Sequence, residues 1–137
     1  MELAVETESE TVSVNDPLLI EKVYSQPDKV SLSDFFRVAA LYRPGTEQYR
    51  EIYEIAAYTY PTCKIAQLNA AAAALSQGDK ESARYFFNQV EGDQRAYNNL
   101  GVLALMDGDK ETAVAYFRKY MPLNPRLARE NMSVLGK

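Results

Sequence analysis

The amino-acid sequence predicts an all-α fold of stacked, antiparallel helix pairs. Three features support this prediction: apolar residues recur every three or four positions, short breaks containing Pro, Gly and capping residues separate these stretches, and the segment Gly-Asp-Lys-Glu occurs twice. Spacings of three and four place apolar side chains on one face of a helix. The short joins force consecutive helices to pack antiparallel.

The charge distribution separates the start of the chain from the rest. The net charge of the 137 residues is −4, but residues 1–16 hold five acidic side chains and no Lys or Arg. We expect residues 1–16 to form an acidic arm that is extended or disordered, or alternatively the last strand of a preceding domain. The remainder is nearly neutral, so electrostatics gives no reason to expect nucleic-acid binding.

The first two helices are predicted from their capping residues. Asp16 can cap a short helix with Pro17 in its first position, and the segment Gln-Pro-Asp then breaks that helix. Ser31 and Asp34 have the spacing of a capping box. The second helix is predicted to end before Pro44, because a proline disfavours helical geometry in the residue before it.

The later helices are separated by a recurring turn. A third helix is predicted from Thr46 to Pro61, and Thr62 is expected to cap a fourth that contains five consecutive alanines at 70–74. Gly-Asp then occurs three times, at 78–79, 92–93 and 108–109. In each case Gly can end one helix in the left-handed conformation while Asp caps the next. Asn124 with Pro125 opens the last helix.

A 30-residue repeat connects two of these turns. Gly-Asp-Lys-Glu at 78–81 recurs at 108–111, and the same offset matches further residues: Asn69 with Asn99, Ala71 with Gly101, Ala83 with Ala113, and Phe87 with Phe117. An offset of this length between helix pairs indicates a stacked array. We predict a repeat domain over 17–137, with pairs at about 31–61, 62–93 and 94–123 and a capping helix at 124–136.

The last of these pairs resembles the tetratricopeptide repeat, a helix pair of about 34 residues with the pattern W-x2-L-G-x2-Y, A-x3-F, P. The residues that carry the resemblance are Tyr97, Leu100, Gly101, Ala104, Ala113, Phe117 and Pro125. Tyr97 and Ala104 depart from the family's Trp and Tyr. The resemblance implies a right-handed superhelical stack of about three pairs. The stretch 68–105 also resembles helical-repeat C-terminal regions of larger bacterial cell-envelope proteins.

The residues needed for common kinds of catalysis are missing. The chain has no His and a single cysteine, Cys63, which excludes His-dependent nucleophilic catalysis, a Cys/His zinc site and an internal disulfide. No phosphate-binding glycine motif occurs. Glu51 and Glu54 are expected to be solvated helix residues, and Asp107 and Asp109 to be turn residues. We therefore predict no enzyme activity, cofactor or metal.

The family resemblance implies where a partner would bind. In this family the first helix of each pair lines a concave groove, and the matching positions here are Ile65, Leu68, Ala72 and Leu75, followed by Arg95, Asn98, Val102, Leu105 and Met106. This largely apolar surface would suit an extended or helical segment of a protein or peptide. An alternative, a clamp for a peptide's terminal carboxylate, would use Asn69, Asn99 and Arg95, although most of its companion basic residues are absent.

Two functional hypotheses follow from these observations. The first is a protein-interaction or scaffolding module with a partner in the groove. The second is a structural C-terminal module of a larger, possibly cell-envelope, protein that has no ligand of its own. No apolar run approaches the ~20 residues of a membrane helix, and the first residues do not resemble a signal peptide. We expect a cytoplasmic location for the chain as written, or a periplasmic or envelope location for a piece of an exported protein.

The chain has ten Tyr and no Trp. Five tyrosines fall at helical spacings and are expected to pack with the hydroxyl at the rim of the core: Tyr49, Tyr53, Tyr85, Tyr97 and Tyr116. Tyrosines that were instead exposed would indicate an interface.

Overall fold

The computed structural model describes residues 13–136, which form eight α-helices, two short 3-10 helices and no strand. The predicted all-α class is therefore confirmed. The α-helices are α1 (Pro17–Ser25), α2 (Leu32–Ala39), α3 (Glu47–Thr59), α4 (Lys64–Ser76), α5 (Lys80–Asn88), α6 (Tyr97–Met106), α7 (Lys110–Tyr120) and α8 (Pro125–Leu135), and the 3-10 helices are Pro27–Lys29 and Gln94–Ala96.

Residues 1–12 of the predicted arm lie outside the described part of the chain. Of the last four residues of that arm, Val14 is half-buried, and its backbone N–H donates a hydrogen bond of 3.1 Å to the carbonyl of Arg37 in α2. This end of the arm is thus attached to the helical domain.

The predicted caps determine where most helices begin. The side chains of Asp16, Ser31, Thr46 and Asn124 each accept a backbone N–H from the first turn of the following helix, at 3.0–3.3 Å. The prediction for Thr62 is wrong, because α4 begins two residues later, at Lys64, without a side-chain cap.

A side chain of α4 forms hydrogen bonds back to the turn that precedes the helix. The Gln67 amide nitrogen donates to the carbonyls of Ala57 and Pro61, at 3.2 and 3.0 Å. These contacts connect α4 to the end of α3, so the chain continues as a turn through Thr62 before the helix starts.

The Gly-Asp turns at 78–79 and 108–109 have the same backbone structure, whereas Asp93 of the third turn caps the 3-10 helix Gln94–Ala96 and not an α-helix. Gly78 and Gly108 have φ of 75° and 79°, a left-handed conformation that L side chains rarely adopt. In each turn the Asp N–H donates at 2.9 Å to a carbonyl five residues earlier. The sequence repeat is therefore also a repeat of local structure.

The described chain divides into two compact units, one ending at Gln89 and the other beginning at Val90. In the first unit each helix from α1 to α5 packs against the next along the chain. In the second unit α6 packs against α7 and α7 against α8. The largest fully buried apolar side chains of the two units are Val23, Phe35, Val38, Ile52, Tyr53 and Phe86 in the first and Phe117 in the second.

Small residues allow the helices of a pair to approach closely. Residues 66–75 of α4, including the five alanines, are all buried, and α4 packs against both α3 and α5. In the second unit, a Cβ placed on Gly101 would lie 2.5 Å from the Phe117 ring. Glycine at position 101 therefore permits the close packing of α6 on α7, because a larger side chain would meet that ring.

Candidate functional site

The predicted groove draws on both units, and its α4 part is mostly inaccessible. Leu68, Ala72 and Leu75 are buried, whereas Ile65 is half-buried near the start of the helix. Of the four α4 positions, only Ile65 thus offers appreciable surface to a partner.

The positions in and before α6 are more accessible at the two ends of the helix. Asn98 and Val102 are buried, Leu105 is half-buried and Met106 is 37% exposed. Leu105 and Met106 are adjacent at the C-terminal end of α6 and form a small apolar surface there. Arg95 precedes α6 in the 3-10 turn and is half-buried.

The Arg95 guanidinium is held by a neighbouring carboxylate. Its Nε lies 3.0 Å from Asp93 Oδ1 and its Nη2 lies 2.7 Å from Asp93 Oδ2, a two-point contact. The same Asp93 Oδ1 accepts the backbone N–H of Arg95 at 3.0 Å. This arrangement fixes the guanidinium at the entrance to α6.

The geometry does not favour the carboxylate clamp. Asn69 and Asn99 are both buried, and Asn99 Oδ1 accepts a hydrogen bond of 3.1 Å from Asn98 Nδ2. Together with the Asp93 contact of Arg95, this burial means that the three proposed clamp residues do not present their polar groups to a carboxylate arriving from solvent.

Asn98 instead joins α6 to α8. Asn131 Nδ2 donates to Asn98 Oδ1 at 2.7 Å, and both side chains are buried. Asn131 therefore lies on the inner face of α8. Ala128, three residues earlier, is also buried, so spacing alone would have placed Asn131 on the inner face.

The first unit contains a charged cluster that the sequence analysis did not identify. Arg50 on α3 contacts Asp79 Oδ2 at 2.5 Å, Gln77 Oε1 at 3.0 Å and Glu54 Oε1 at 3.2 Å. The cluster ties α3 to the Gly-Asp turn between α4 and α5. Gln77 and Asp79 lie 27 and 29 residues from Arg50 along the chain. Contacts over such distances cannot be predicted from a local sequence pattern.

Asp79 also caps α5. Its Oδ1 accepts the Ser82 N–H at 3.1 Å and its Oδ2 accepts the Ser82 hydroxyl at 2.8 Å. The hydrogen bond from Arg50, followed by those from Ser82, lowers the pKa of Asp79 from 3.8 to about 2. Asp109 has the equivalent contacts with Thr112, at 3.1 and 2.6 Å, and these lower its pKa as well.

We expect Asp79→Asn to reduce the acid sensitivity of the fold. The pKa of Asp79 is lower in the folded chain, so its carboxylate contributes stability that is complete above about pH 4 and is lost as the pH falls toward 2. Melting temperatures measured from pH 6 to pH 2 should therefore converge for the wild type and the variant at the acidic end. Asp109→Asn is the matched control and should show a smaller change, because the Arg50 contact is particular to Asp79. Parallel loss in wild type and Asp79→Asn would contradict the Arg50–Asp79 contact.

The tyrosines divide into buried and exposed groups. Tyr49 and Tyr53 pack in the core as expected, but their hydroxyl oxygens are buried too, so the predicted position at the rim is wrong for these two. Tyr97 and Tyr116 are half-buried. Tyr85 is 48% exposed, so the expectation that it packs into the core is wrong. Its position on α5 turns the ring away from the buried face formed by Ala83, Phe86 and Phe87.

The described residues also include a surface depression. It has a volume of about 200 Å3 and is lined by Leu100, Leu103, Ala104, Asp107, Asp109, Thr112 and Tyr116 of α6, α7 and their connecting turn. Within residues 13–136, no group of three or more His, Cys, Asp or Glu side chains is placed to hold a metal ion. No helix in this range is long and apolar enough to span a membrane.

No family model, no curated protein and no solved structure matches this chain. The relation to the tetratricopeptide family therefore stays a prediction based on the residues quoted above.

Proposed function

We propose that the chain is a non-enzymatic protein-interaction or scaffolding module built from tetratricopeptide-like helix pairs in a right-handed superhelical stack. The observation that carries the proposal is the pair of Gly-Asp turns, which share their hydrogen bonds at a 30-residue offset. Each turn connects two helices that pack against one another. Repeats of this kind present surfaces to partners and need no chemistry of their own.

The proposed contact surface is narrower than the groove expected from the sequence. It consists of the accessible apolar side chains at the C-terminal end of α6 in the second unit, Leu105 and Met106. Methionine and leucine side chains adapt to irregular apolar surfaces, which suits an apolar segment of a protein partner.

A capture experiment tests the proposal. The wild type and the variant Leu105→Glu/Met106→Glu would be used to isolate partners from a lysate of the source cells, followed by mass spectrometry. We expect a partner that the wild type retains and the variant loses, because two carboxylates placed in an apolar contact would be desolvated without compensation.

Leu123→Glu is the matched control, since Leu123 is 40% exposed and Met106 is 37% exposed, and both lie in the second unit. The control should retain the partner. If every variant melts like the wild type and no partner depends on Leu105 and Met106, the interaction proposal fails.

A structural module of a larger, possibly cell-envelope, protein is the second candidate. Burial of five of the nine expected groove side chains favours this candidate, because such a surface is already filled. The hydrogen bond from Val14 to Arg37 of α2 also favours it, because it ties the end of the arm to the helical domain. The structural-module candidate would be favoured if the capture experiment finds no partner whose binding depends on Leu105 and Met106.

A further inference from the structure

Two exposed tyrosine rings meet on the surface of the first unit. Tyr58 on α3 is 63% exposed and Tyr85 on α5 is 48% exposed, with ring centroids 6.0 Å apart and an interplanar angle of 36°. The buried Phe86 ring supports both of them edge-on, at 5.8 and 5.2 Å. The two outer rings are thus held in place while their surfaces remain open.

The second unit contains a tyrosine pair with almost the same geometry. The centroids of Tyr97 and Tyr116 are 5.8 Å apart and their interplanar angle is 34°. In this pair the Lys119 ammonium lies 5.7 Å from each ring centroid. That distance is within the range at which a ring's quadrupole attracts a cation.

The two pairs differ in their charged neighbours. Lys119 makes its ring–cation contacts with the Tyr97–Tyr116 pair, whereas the Tyr58 and Tyr85 rings contact each other and Phe86. Each exposed tyrosine instead has a glutamate four residues earlier on its own helix, Glu54 before Tyr58 and Glu81 before Tyr85. Residues at this spacing are neighbours on a helix surface.

The acidic neighbours make the pair complementary to positive charge. Glu81 is exposed, whereas Glu54 is half-buried and shares one oxygen with Arg50 at 3.2 Å. Burial is the main cause of the raised pKa of Tyr58, and the charges of Tyr85 and Glu54 raise it further. A cation on the two rings would be attracted by the ring faces and by Glu81, whereas the Arg50 guanidinium partly offsets the charge of Glu54.

We propose that the Tyr58–Tyr85 pair is a binding site for a lysine or arginine side chain of a partner protein, occupied from outside in the way that Lys119 occupies the Tyr97–Tyr116 pair from within. The site lies on α3 and α5, the second helices of their pairs. It shares no residue with the proposed surface on α6, so either proposal can fail without the other.

A defined cationic probe tests the site. The full chain, labelled with carbon-13 in its tyrosine rings, would be titrated by NMR with an acetylated and amidated tetralysine peptide. We expect the Tyr58 and Tyr85 ring signals to shift on titration, while the Tyr97 and Tyr116 signals stay in place because Lys119 already fills that pair. The same peptide with its lysine side chains acetylated should produce no such shifts, because acetylation removes the charge.

Two double variants separate the rings' electrostatic contribution from simple apolar contact. Tyr58→Leu/Tyr85→Leu should weaken tetralysine binding by about 5–25-fold, since each exposed cation–ring contact contributes a factor of about 2–5. Tyr58→Phe/Tyr85→Phe keeps both rings and should stay within about twofold of the wild type. The proposal would be overturned if the leucine variant melts like the wild type and binds tetralysine equally well. It would also be overturned if the peptide with acetylated lysine side chains binds the wild type as tightly as tetralysine does.

Discussion

Gly101→Leu is expected to lower the free energy of unfolding by about 1–3 kcal/mol. The Phe117 ring occupies the space where a Cβ on residue 101 would lie, at 2.5 Å from its nearest atom, and this ring is fully buried. Ala113→Leu on α7 should have a similar effect, because Ala113 is also fully buried. Denaturant titration of each variant against the wild type measures the change.

Gly101→Ala gives a more specific test of the same contact. In an exposed helix this change usually stabilises by about 1 kcal/mol, whereas here the added methyl group meets Phe117. Adding Phe117→Leu should recover part of the loss from Gly101→Ala, so the two effects should not be additive. Gly136→Ala is the control, since its Cβ would lie 3.8 Å from the nearest atom. A stabilising Gly101→Ala would contradict the close packing of α6 on α7 and the repeat alignment that predicts it.

Asn131→Ala is expected to destabilise the chain by about 1–3 kcal/mol, the second large effect. The substitution removes the donor at 2.7 Å from a buried carbonyl oxygen of Asn98, within a structure that excludes water from both side chains. Thermal and denaturant unfolding of the single variants Asn98→Ala and Asn131→Ala, and of the double variant, would give the coupling energy between them.

An exposed asparagine provides the comparison for Asn131. Asn88 lies at the exposed end of α5, and Asn88→Ala should change stability by no more than about 0.5 kcal/mol. If Asn131→Ala is as mild as Asn88→Ala, then Asn131 is on the solvent side of α8 and the link to Asn98 is absent in solution.

For the candidate groove, the sequence predicted which residues lie on the first helix of each pair but not which of them are accessible. Its nine positions come from alignment to a repeat pattern, which assigns residues to the first helix of a pair. The alignment contains no information on how deeply each helix is buried, and α4 proves to be buried over ten consecutive residues. Ile65, Leu105 and Met106 stay accessible because they lie near helix ends, beyond the most closely packed turns.

The exposed tyrosine pair shows the opposite case, in which a surface feature could not be found from spacing. Tyr85 lies outside the three- and four-residue spacing that joins Ala83 to Phe86 and Phe87, but nothing in that spacing identifies Tyr58 as the ring it meets. Tyr58 and Tyr85 lie 27 residues apart on different helices. Their contact depends on the packing of α3 and α5 around α4, which no local pattern specifies.

The sequence by itself determined the helical class, the Gly-Asp turns and most helix starts, because caps, left-handed glycines and prolines act within a few residues of the backbone they shape. Only the tertiary structure decided which side chains are buried or meet across helices. Arg50 reaches Asp79, Asn131 reaches Asn98 and Tyr58 meets Tyr85 over 27 or more residues. Such contacts depend on the relative placement of whole helices, which is set by the summed packing of many side chains rather than by any one of them.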